Sequence, residues 1–176
     1  FRKFSLFIYG GVNFEPYRNI FEGLIGKKID TIEFFPASEG FFAYQDEPGR
    51  EDLLLVLNNK IFYEFVELGD FKKKKFKRLT LKDVIINNDY VMIVSTNAGL
   101  WAYNVGDTIR FTSLKPFRIQ VTGRVKHFIS AFGEHVIGKE VETALNRTLK
   151  NTSVKVVEFT VAPQNNPKSG LPYHEW

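Results

Sequence analysis

The chain has 176 residues, 44% of them hydrophobic and 15% aromatic, with a formal net charge of +4. That is enough apolar content for a sizeable core in one or two domains and too much for a disordered chain. The lack of Cys excludes disulfides and thiolate metal sites, and His127, His135 and His174 have no ligand-like spacing, so a zinc site is not expected.

Residues Lys3 to Tyr9 alternate apolar and polar and give way to Gly10-Gly11. This predicts a strand ending where backbone must approach something closely. Asn13 can cap a helix that has Glu15 and Pro16 in its first turn, Tyr17, Ile20, Phe21 and Leu24 at helical spacing, and Gly26 as its stop. Thr31 to Phe35 read as the next strand, so residues 1–40 form a β-α-β unit. Gly-Gly alone is not a dinucleotide fingerprint, and no Gly-x-x-x-x-Gly-Lys-Ser/Thr phosphate loop occurs.

The stretch Phe34-Phe35-Pro36-Ala37-Ser38-Glu39-Gly40-Phe41-Phe42 is apolar, then small, then apolar again. It predicts two strands meeting at a tight turn that displays Ser38 and Glu39, with the flat faces of Phe35 and Phe41 beside them. Together a hydroxyl, a carboxylate and an aromatic face can meet a phosphate, its metal and a base. The same residues also describe an ordinary Pro/Ser/Gly turn. If the β-α-β unit is right, Gly10-Gly11 and this turn share the edge of a parallel sheet where α/β folds bind ligands.

From 41 to 123 the pattern changes to short strands, expected at Phe41–Tyr44, Leu53–Leu57, Ile61–Glu67, Tyr90–Ser95, Gly99–Tyr103, Asp107–Phe111 and Phe117–Val121. Turn residues such as Glu47-Pro48-Gly49 and Asn87-Asn88-Asp89 separate them, which suggests a β-barrel-like region or a sandwich. Lys72 to Lys75 with Lys77 and Arg78 form a basic block. It reads as a solvated loop more readily than as a nucleic-acid patch, because only Phe71 and Phe76 interleave the charges. In Tyr103-Asn104-Val105-Gly106-Asp107 the carboxylate could accept two hydroxyl hydrogen bonds, as a ribose diol offers, or could close a Gly-Asp hairpin turn.

Gly123-Arg124-Val125-Lys126 punctuates the β region. Arg124 can fork onto a phosphate or ribose, or the segment can be a polar linker. Residues 124–176 then read as a small, truncated α+β domain: a short strand pair within His127 to Phe132 turning at Gly133, a helix from Gly138 to Leu149, and a strand from Thr152 to Ala162. The first residue is Phe and the chain stops just after a Pro-rich loop, so a fragment of a longer protein is expected. No apolar run reaches the roughly 18 residues of a membrane span, so no membrane partner and a cytoplasmic location are expected.

These signals occur in the order seen in adenylate-forming enzymes. The residues Tyr9-Gly10-Gly11-Val12-Asn13-Phe14-Glu15-Pro16-Tyr17, Ala37-Ser38-Glu39-Gly40, Ala98-Gly99-Leu100-Trp101-Ala102-Tyr103-Asn104-Val105-Gly106-Asp107 and Pro172-Tyr173-His174-Glu175-Trp176 resemble the acyl-acid amido synthetases named after the plant auxin-responsive genes. The resemblance implies a bacterial-type member and an α/β fragment of the adenylate-forming fold. It implies ATP and Mg²⁺, and as partners a small carboxylic acid and an amine, an amino acid among the candidates. The backbone of Gly10, Gly11 and Val12 would line the adenine pocket and Phe35 would stack on the base. Ser38 would meet the α-phosphate, Glu39 would hold Mg²⁺, Asp107 would hold the ribose hydroxyls, and Arg124 would hold ribose or phosphate. Lys126 falls near the hinge of the C-terminal domain.

Asn104 departs from the family pattern, which has Arg there. The Ser/Thr/Gly-rich phosphate loop has no counterpart in the chain, and the fragment alone is expected to be inactive. Lys168 sits in a Pro-Lys-Ser-Gly stretch that reads as a plain loop. An acyl-CoA ligase, or a nucleotide-binding module without turnover, are the alternatives.

Overall fold

A computed structural model gives the fold. It describes residues 3–11, 14–125, 128–129, 136–150, 152, 154, 156, 158–164, 167–171 and 173–176. The chain divides into two compact units, 1–121 and 122–176.

The first unit starts with strand β1 (Leu6–Gly10), a single 3₁₀ turn (Glu15–Tyr17), helix α1 (Arg18–Ile25) and strand β2 (Asp30–Ala37). Pro16 suits the first turn, where its missing N–H costs nothing. Gly26 ends α1 in the left-handed conformation at φ 82°, its N–H bonded to the Glu22 carbonyl. Strands β1 and β2 pair in parallel, with Tyr9 opposite Glu33 and Gly10 opposite Phe34. Rings lock the helix to the strands: Phe7 and Phe21 are 4.5 Å apart, and Phe14 meets Phe21 edge-on at 5.3 Å. Each such pair adds about 0.5–1.5 kcal/mol beyond its buried area. The expected β-α-β unit is present.

Strand β3 (Gly40–Tyr44) returns antiparallel to β2, followed by β4 (Leu53–Leu55), β5 (Ile61–Glu67), the short helix α2 (Leu68–Lys72), β6 (Asp89–Thr96), β7 (Tyr103–Leu114) and β8 (Phe117–Arg124). One sheet of eight strands results, in the order β1-β2-β3-β4-β8-β7-β6-β5. Its β3-to-β5 part curls. Phe42 of β3 meets Tyr63 of β5 at 6.3 Å, and the Asn59 amide donates to the Phe41 carbonyl at 2.7 Å. Because β5 remains an end of the hydrogen-bonded order, the region is barrel-like rather than a closed barrel. Phe42, Phe65, Tyr90 and Phe111 fill its interior, fully buried. The Tyr90 hydroxyl accepts from the Ile85 N–H at 3.0 Å, so the core leaves that polar tip satisfied.

Two strand expectations change. Residues 97–102 are a loop, so the strand expected at Gly99–Tyr103 does not form, and the one expected at Asp107–Phe111 is part of a longer strand, β7, that begins at Tyr103. The positive φ of Gly106, 89°, lets the ladder run on through a bulge instead of breaking. Helix α2 was not expected from the sequence.

In the second unit, β9 (Phe128–Ile129) and β10 (Val136–Ile137) pair antiparallel, helix α3 spans Gly138–Leu149, and β11 (Ala162–Gln164) pairs with β12 (Tyr173–Glu175). The strand expected from Thr152 to Ala162 does not form: its described residues before Ala162 lie outside any strand. Gly133 and Phe132 lie outside the described residues. Lys168 is in a loop, as read.

Candidate functional site

The parallel unit delivers the chain to one hairpin. Ala37 pairs with Gly40, so Ser38 and Glu39 alone form the turn between β2 and β3. Ser38 is exposed and Glu39 half-buried. Glu39 enters none of the ion pairs among the described residues. An uncommitted carboxylate beside a hydroxyl suits Mg²⁺, which takes one or two protein carboxylates and completes its shell with water and substrate phosphate. No cluster of three or more acidic or His side chains exists among the described residues, so a site wholly built of protein ligands is not formed there.

Gly10 lies opposite Phe34 on the neighbouring strand. A Cβ at Gly10 would sit 2.5 Å from the Phe34 carbonyl oxygen and 2.9 Å from Cδ of Pro36. The close approach inferred from Gly10-Gly11 therefore has a packing cause in β2. Gly11 has φ 81° and open space around its Cα, so its need for glycine is conformational. Val12 lies outside the described residues. Tyr9, just before the glycines, has its hydroxyl pKa pushed up to about 12, first by burial, then by the charges of Glu33 and Glu15.

Phe35 requires a correction. The expectation was a ring free to stack on adenine. It is 7% exposed and meets Phe42 edge-on at 5.3 Å, so its ring belongs to the core. Alternation along β2 sends Phe34 to the opposite face, where it meets Phe41 at 5.3 Å. The exposed aromatic of the hairpin is Phe41.

Ile61 links the hairpin to the connection between β6 and β7. A Cβ on Gly40 would be 2.8 Å from Cδ1 of Ile61. Ile61 pairs with Thr96, and the Thr96 N–H donates to the Leu100 carbonyl at 2.9 Å. The loop 97–102 is further held by the Ala102 N–H, which donates to Ser95 Oγ at 2.9 Å. Ala102 takes φ 48°, and Trp101 beside it stands 85% exposed. The turn at Ser38-Glu39 and the Ala98-to-Asn104 stretch thus share one end of the barrel-like region.

Asp107 sits further along β7. Across the bulge, Asn104 pairs with Ile93 and Thr108 with Val91, which sets Val105, Gly106 and Asp107 against Met92 alone. Asn104 Oδ1 accepts from the Gly106 N–H at 2.9 Å, so the side chain at the position that departs from the family pattern shapes its own loop. Asp107 is 7% exposed. It lies within a strand, and the reading of Gly106-Asp107 as a hairpin turn is corrected: a bulge re-aims the residue after it.

Arg124 closes β8, exposed, in the second unit. Lys126 lies outside the described residues. In the basic block, Lys72 ends α2, and Phe71 meets Phe76 at 5.3 Å. Arg78 pairs with Glu64 at 3.2 Å, which neutralises part of the patch.

The sequence reading missed a buried charge network. Arg118, 6% exposed, donates two hydrogen bonds of 2.7 Å to Asp46. It also lies 3.4 Å from Asp52, which accepts from Arg50 at 2.7 Å and from Thr112 at 2.9 Å. These partners are far apart in sequence, and the alternation of β8, which sends Phe117, Ile119 and Val121 to the core, puts Arg118 on the opposite face, so no local signal marks its burial. Asn59 was also missed, having been read as a turn residue.

Residues 54–124 match the model of the GH3 family central domain. The chain is 30% identical over 107 residues to a probable indole-3-acetic acid-amido synthetase, GH3.1, of Arabidopsis thaliana, covering 53% of this chain and 17% of that protein. It is 28% identical over 138 residues to indole-3-acetic acid-amido synthetase GH3.4 of the same plant, covering 72% and 23%. Among solved structures, a GH3.15 acyl acid amido synthetase superposes with a TM-score of 0.70 at 21% identity, over 91% of this chain and 29% of that one. The same synthetase in complex with 2,4-DB gives 0.68 at 20% identity. The class of structure is therefore a mixed α/β fold shared with part of these acyl acid amido synthetases. The chain spans about a fifth of the length of the curated relatives it matches.

Proposed function

We propose that the full-length protein is an ATP-dependent ligase that adenylates a carboxylic acid and transfers the acyl group to an amine. A carboxylate oxygen attacks the α-phosphorus of ATP and pyrophosphate leaves. The amine nitrogen then attacks the acyl carbon, AMP leaves, and the amine loses a proton. The observation that carries this reading is the Ser38-Glu39 turn, set at the end of a parallel β-α-β unit in a chain whose fold is shared with acyl acid amido synthetases. The relatives named as indole-3-acetic acid-amido synthetases support a carboxylic acid and an amine as the substrate classes, and an amino acid is the amine we propose.

In this reading Ser38 donates to the α-phosphate and Glu39 holds the magnesium ion. Bound there, Mg²⁺ neutralises phosphate charge as it builds. The backbone of Gly10, Gly11 and Val12 borders the base, Asp107 accepts from the ribose hydroxyls, and Arg124 donates to ribose or phosphate. Phe41, exposed at the hairpin, replaces Phe35 as the aromatic surface available to a ligand. Lys126 lies at the hinge before the smaller domain. A reaction that consumes ATP fits a cytoplasmic location.

The test is carboxylate-dependent ATP–pyrophosphate exchange by the full-length protein across a panel of carboxylic acids. Glu39→Ala is expected to abolish exchange while leaving the fold intact. Full exchange in that variant would remove Glu39 from the site. Nucleotide binding without exchange by the wild type would select a binding module without turnover, a reading favoured by Asn104 standing where the family pattern has Arg.

A further inference from the structure

Two observations converge on Asn59, the residue before the turn into β5. Its Nδ2 donates to the carbonyl oxygen of Phe41 at 2.7 Å. Phe41 is the second residue after Glu39, so this bond grips the returning limb of the hairpin close to its tip. Next to it, Gly40 is seated on Ile61, whose Cδ1 would lie 2.8 Å from a Cβ added there. The other end of the Asn59 amide faces inward. The Tyr63 hydroxyl, on a residue 4% exposed, lies beside it without a well-aligned hydrogen bond, and Asn59 Oδ1 is itself buried. The amide is thus placed between the core-facing Tyr63 and the hairpin backbone, and its orientation is set by which end can donate.

The remaining ladder does not supply this grip. Between β2 and β3 the register shifts after Phe35, so the tip of the hairpin is paired only through Pro36–Phe41 and Ala37–Gly40. Pro36 has no N–H to give. A two-residue turn on a weakened ladder needs an outside anchor if its side chains are to hold a fixed position. Asn59 and Ile61 provide one from the start of β5.

We propose that Asn59 is a positioning residue for the reaction: it fixes the β2–β3 hairpin so that Glu39 presents its carboxylate at one place. This rests on the assignment of Glu39 above. Asn59 touches neither metal nor substrate in this role. It acts through the Phe41 carbonyl.

The test uses Asn59→Asp in the full-length protein. The substitution keeps the shape but turns a donor into an acceptor facing the Phe41 carbonyl. Two readouts are followed. Backbone amide exchange at residues 38–42 is expected to speed up roughly three- to tenfold, the change that one lost hydrogen bond is worth. The Mg²⁺ concentration that half-saturates ATP–pyrophosphate exchange should rise by a similar factor, while the ATP KM at saturating Mg²⁺ and the unfolding temperature stay near wild type. A uniform loss of activity at every Mg²⁺ concentration would mark a merely structural residue and overturn the proposal, as would unchanged amide exchange at 38–42. If the wild type shows no pyrophosphate exchange at all, the ligase reading fails by that result, and the amide-exchange readout still decides whether Asn59 anchors the hairpin.

Discussion

Arg118 and Asp46 lie 72 positions apart in the chain and face each other through two parallel hydrogen bonds of 2.7 Å. The guanidinium side chain is 7% exposed, against 23% for its partner. The pair joins β8 to the loop between β3 and β4, in the middle of the strand order. Asp46 keeps one side open to solvent, so Asp46→Ala is expected to cost about 1.5–3 kcal/mol, the range for a hydrogen bond to a charged group, with Asp52 at 3.4 Å left to share the charge. Urea unfolding of the two proteins measures the difference, and a midpoint equal to wild type would show that the pair contributes nothing net.

The same network sets a pH dependence. The Arg118 guanidinium holds Asp46 below the ordinary aspartate value of 3.8, and Arg50, with Thr112, does the same for Asp52. A carboxylate depressed in the folded state adds stability that is fully present above its unfolded value. That stability is lost as pH falls through the lower folded value. Thermal unfolding followed from pH 5 downward should therefore show the unfolding temperature dropping below about pH 4. In a variant carrying Asp46→Asn and Asp52→Asn the drop should be smaller. An equal drop would assign the acid sensitivity elsewhere.

Gly10 illustrates what was legible and what was not. The sequence announced a close approach after β1, and the structure has one, against the Phe34 carbonyl and Pro36. Several local signals were readable: α1 with its Gly26 stop, β5, the hairpin turn at Ser38-Glu39, and α3 all lie where periodicity and turn chemistry put them. Long-range choices were not. Phe35 and Phe41 are equally aromatic in sequence, and only the sheet decides that one is core and the other exposed. Gly106 reads as a turn until β6 is laid beside it and the ladder is seen to continue through a bulge. Arg118 looks like a surface cation because its partners come from distant loops. Gly10→Ala is expected to destabilise by about 1–3 kcal/mol, the range for overpacking, since the obstacle is backbone and cannot swing away. Chemical denaturation checks it.

Asp107 carries a prediction on binding rather than stability. A carboxylate that accepts two ribose hydroxyls makes charge-assisted bonds of about 1.5–3 kcal/mol each. In the full-length protein Asp107→Ala should therefore weaken ATP binding by roughly a hundredfold or more. Calorimetric titration with ATP measures it. Because Asp107 is buried within β7, the variant is read only where its unfolding profile matches wild type; there, an unchanged affinity would take Asp107 out of the nucleotide site.

The seat of Gly40 on Ile61 gives a test with its own rescue. Gly40→Ala places a methyl group 2.8 Å from Ile61 Cδ1 and 3.3 Å from the Phe42 ring. The nearer atom ends a flexible side chain that can partly yield, the farther one is fixed in the core, and φ 159° is itself a conformation that L side chains rarely adopt. The substitution is thus expected to displace the hairpin tip, Glu39 with it, through backbone strain as well as through contact with β5. Pyrophosphate exchange should fall, with a higher Mg²⁺ requirement. Ile61→Val removes Cδ1, the atom in the way. The double variant should recover the part of the loss that the contact with Ile61 causes, the part due to the backbone at φ 159° remaining, and Ile61→Val alone should cost only about 0.5–1.5 kcal/mol of stability. The recovery is an interaction energy between two residues in contact, so a double-mutant cycle reads it directly. Additive losses would show that the effect at Gly40 comes from its backbone conformation and not from contact with Ile61.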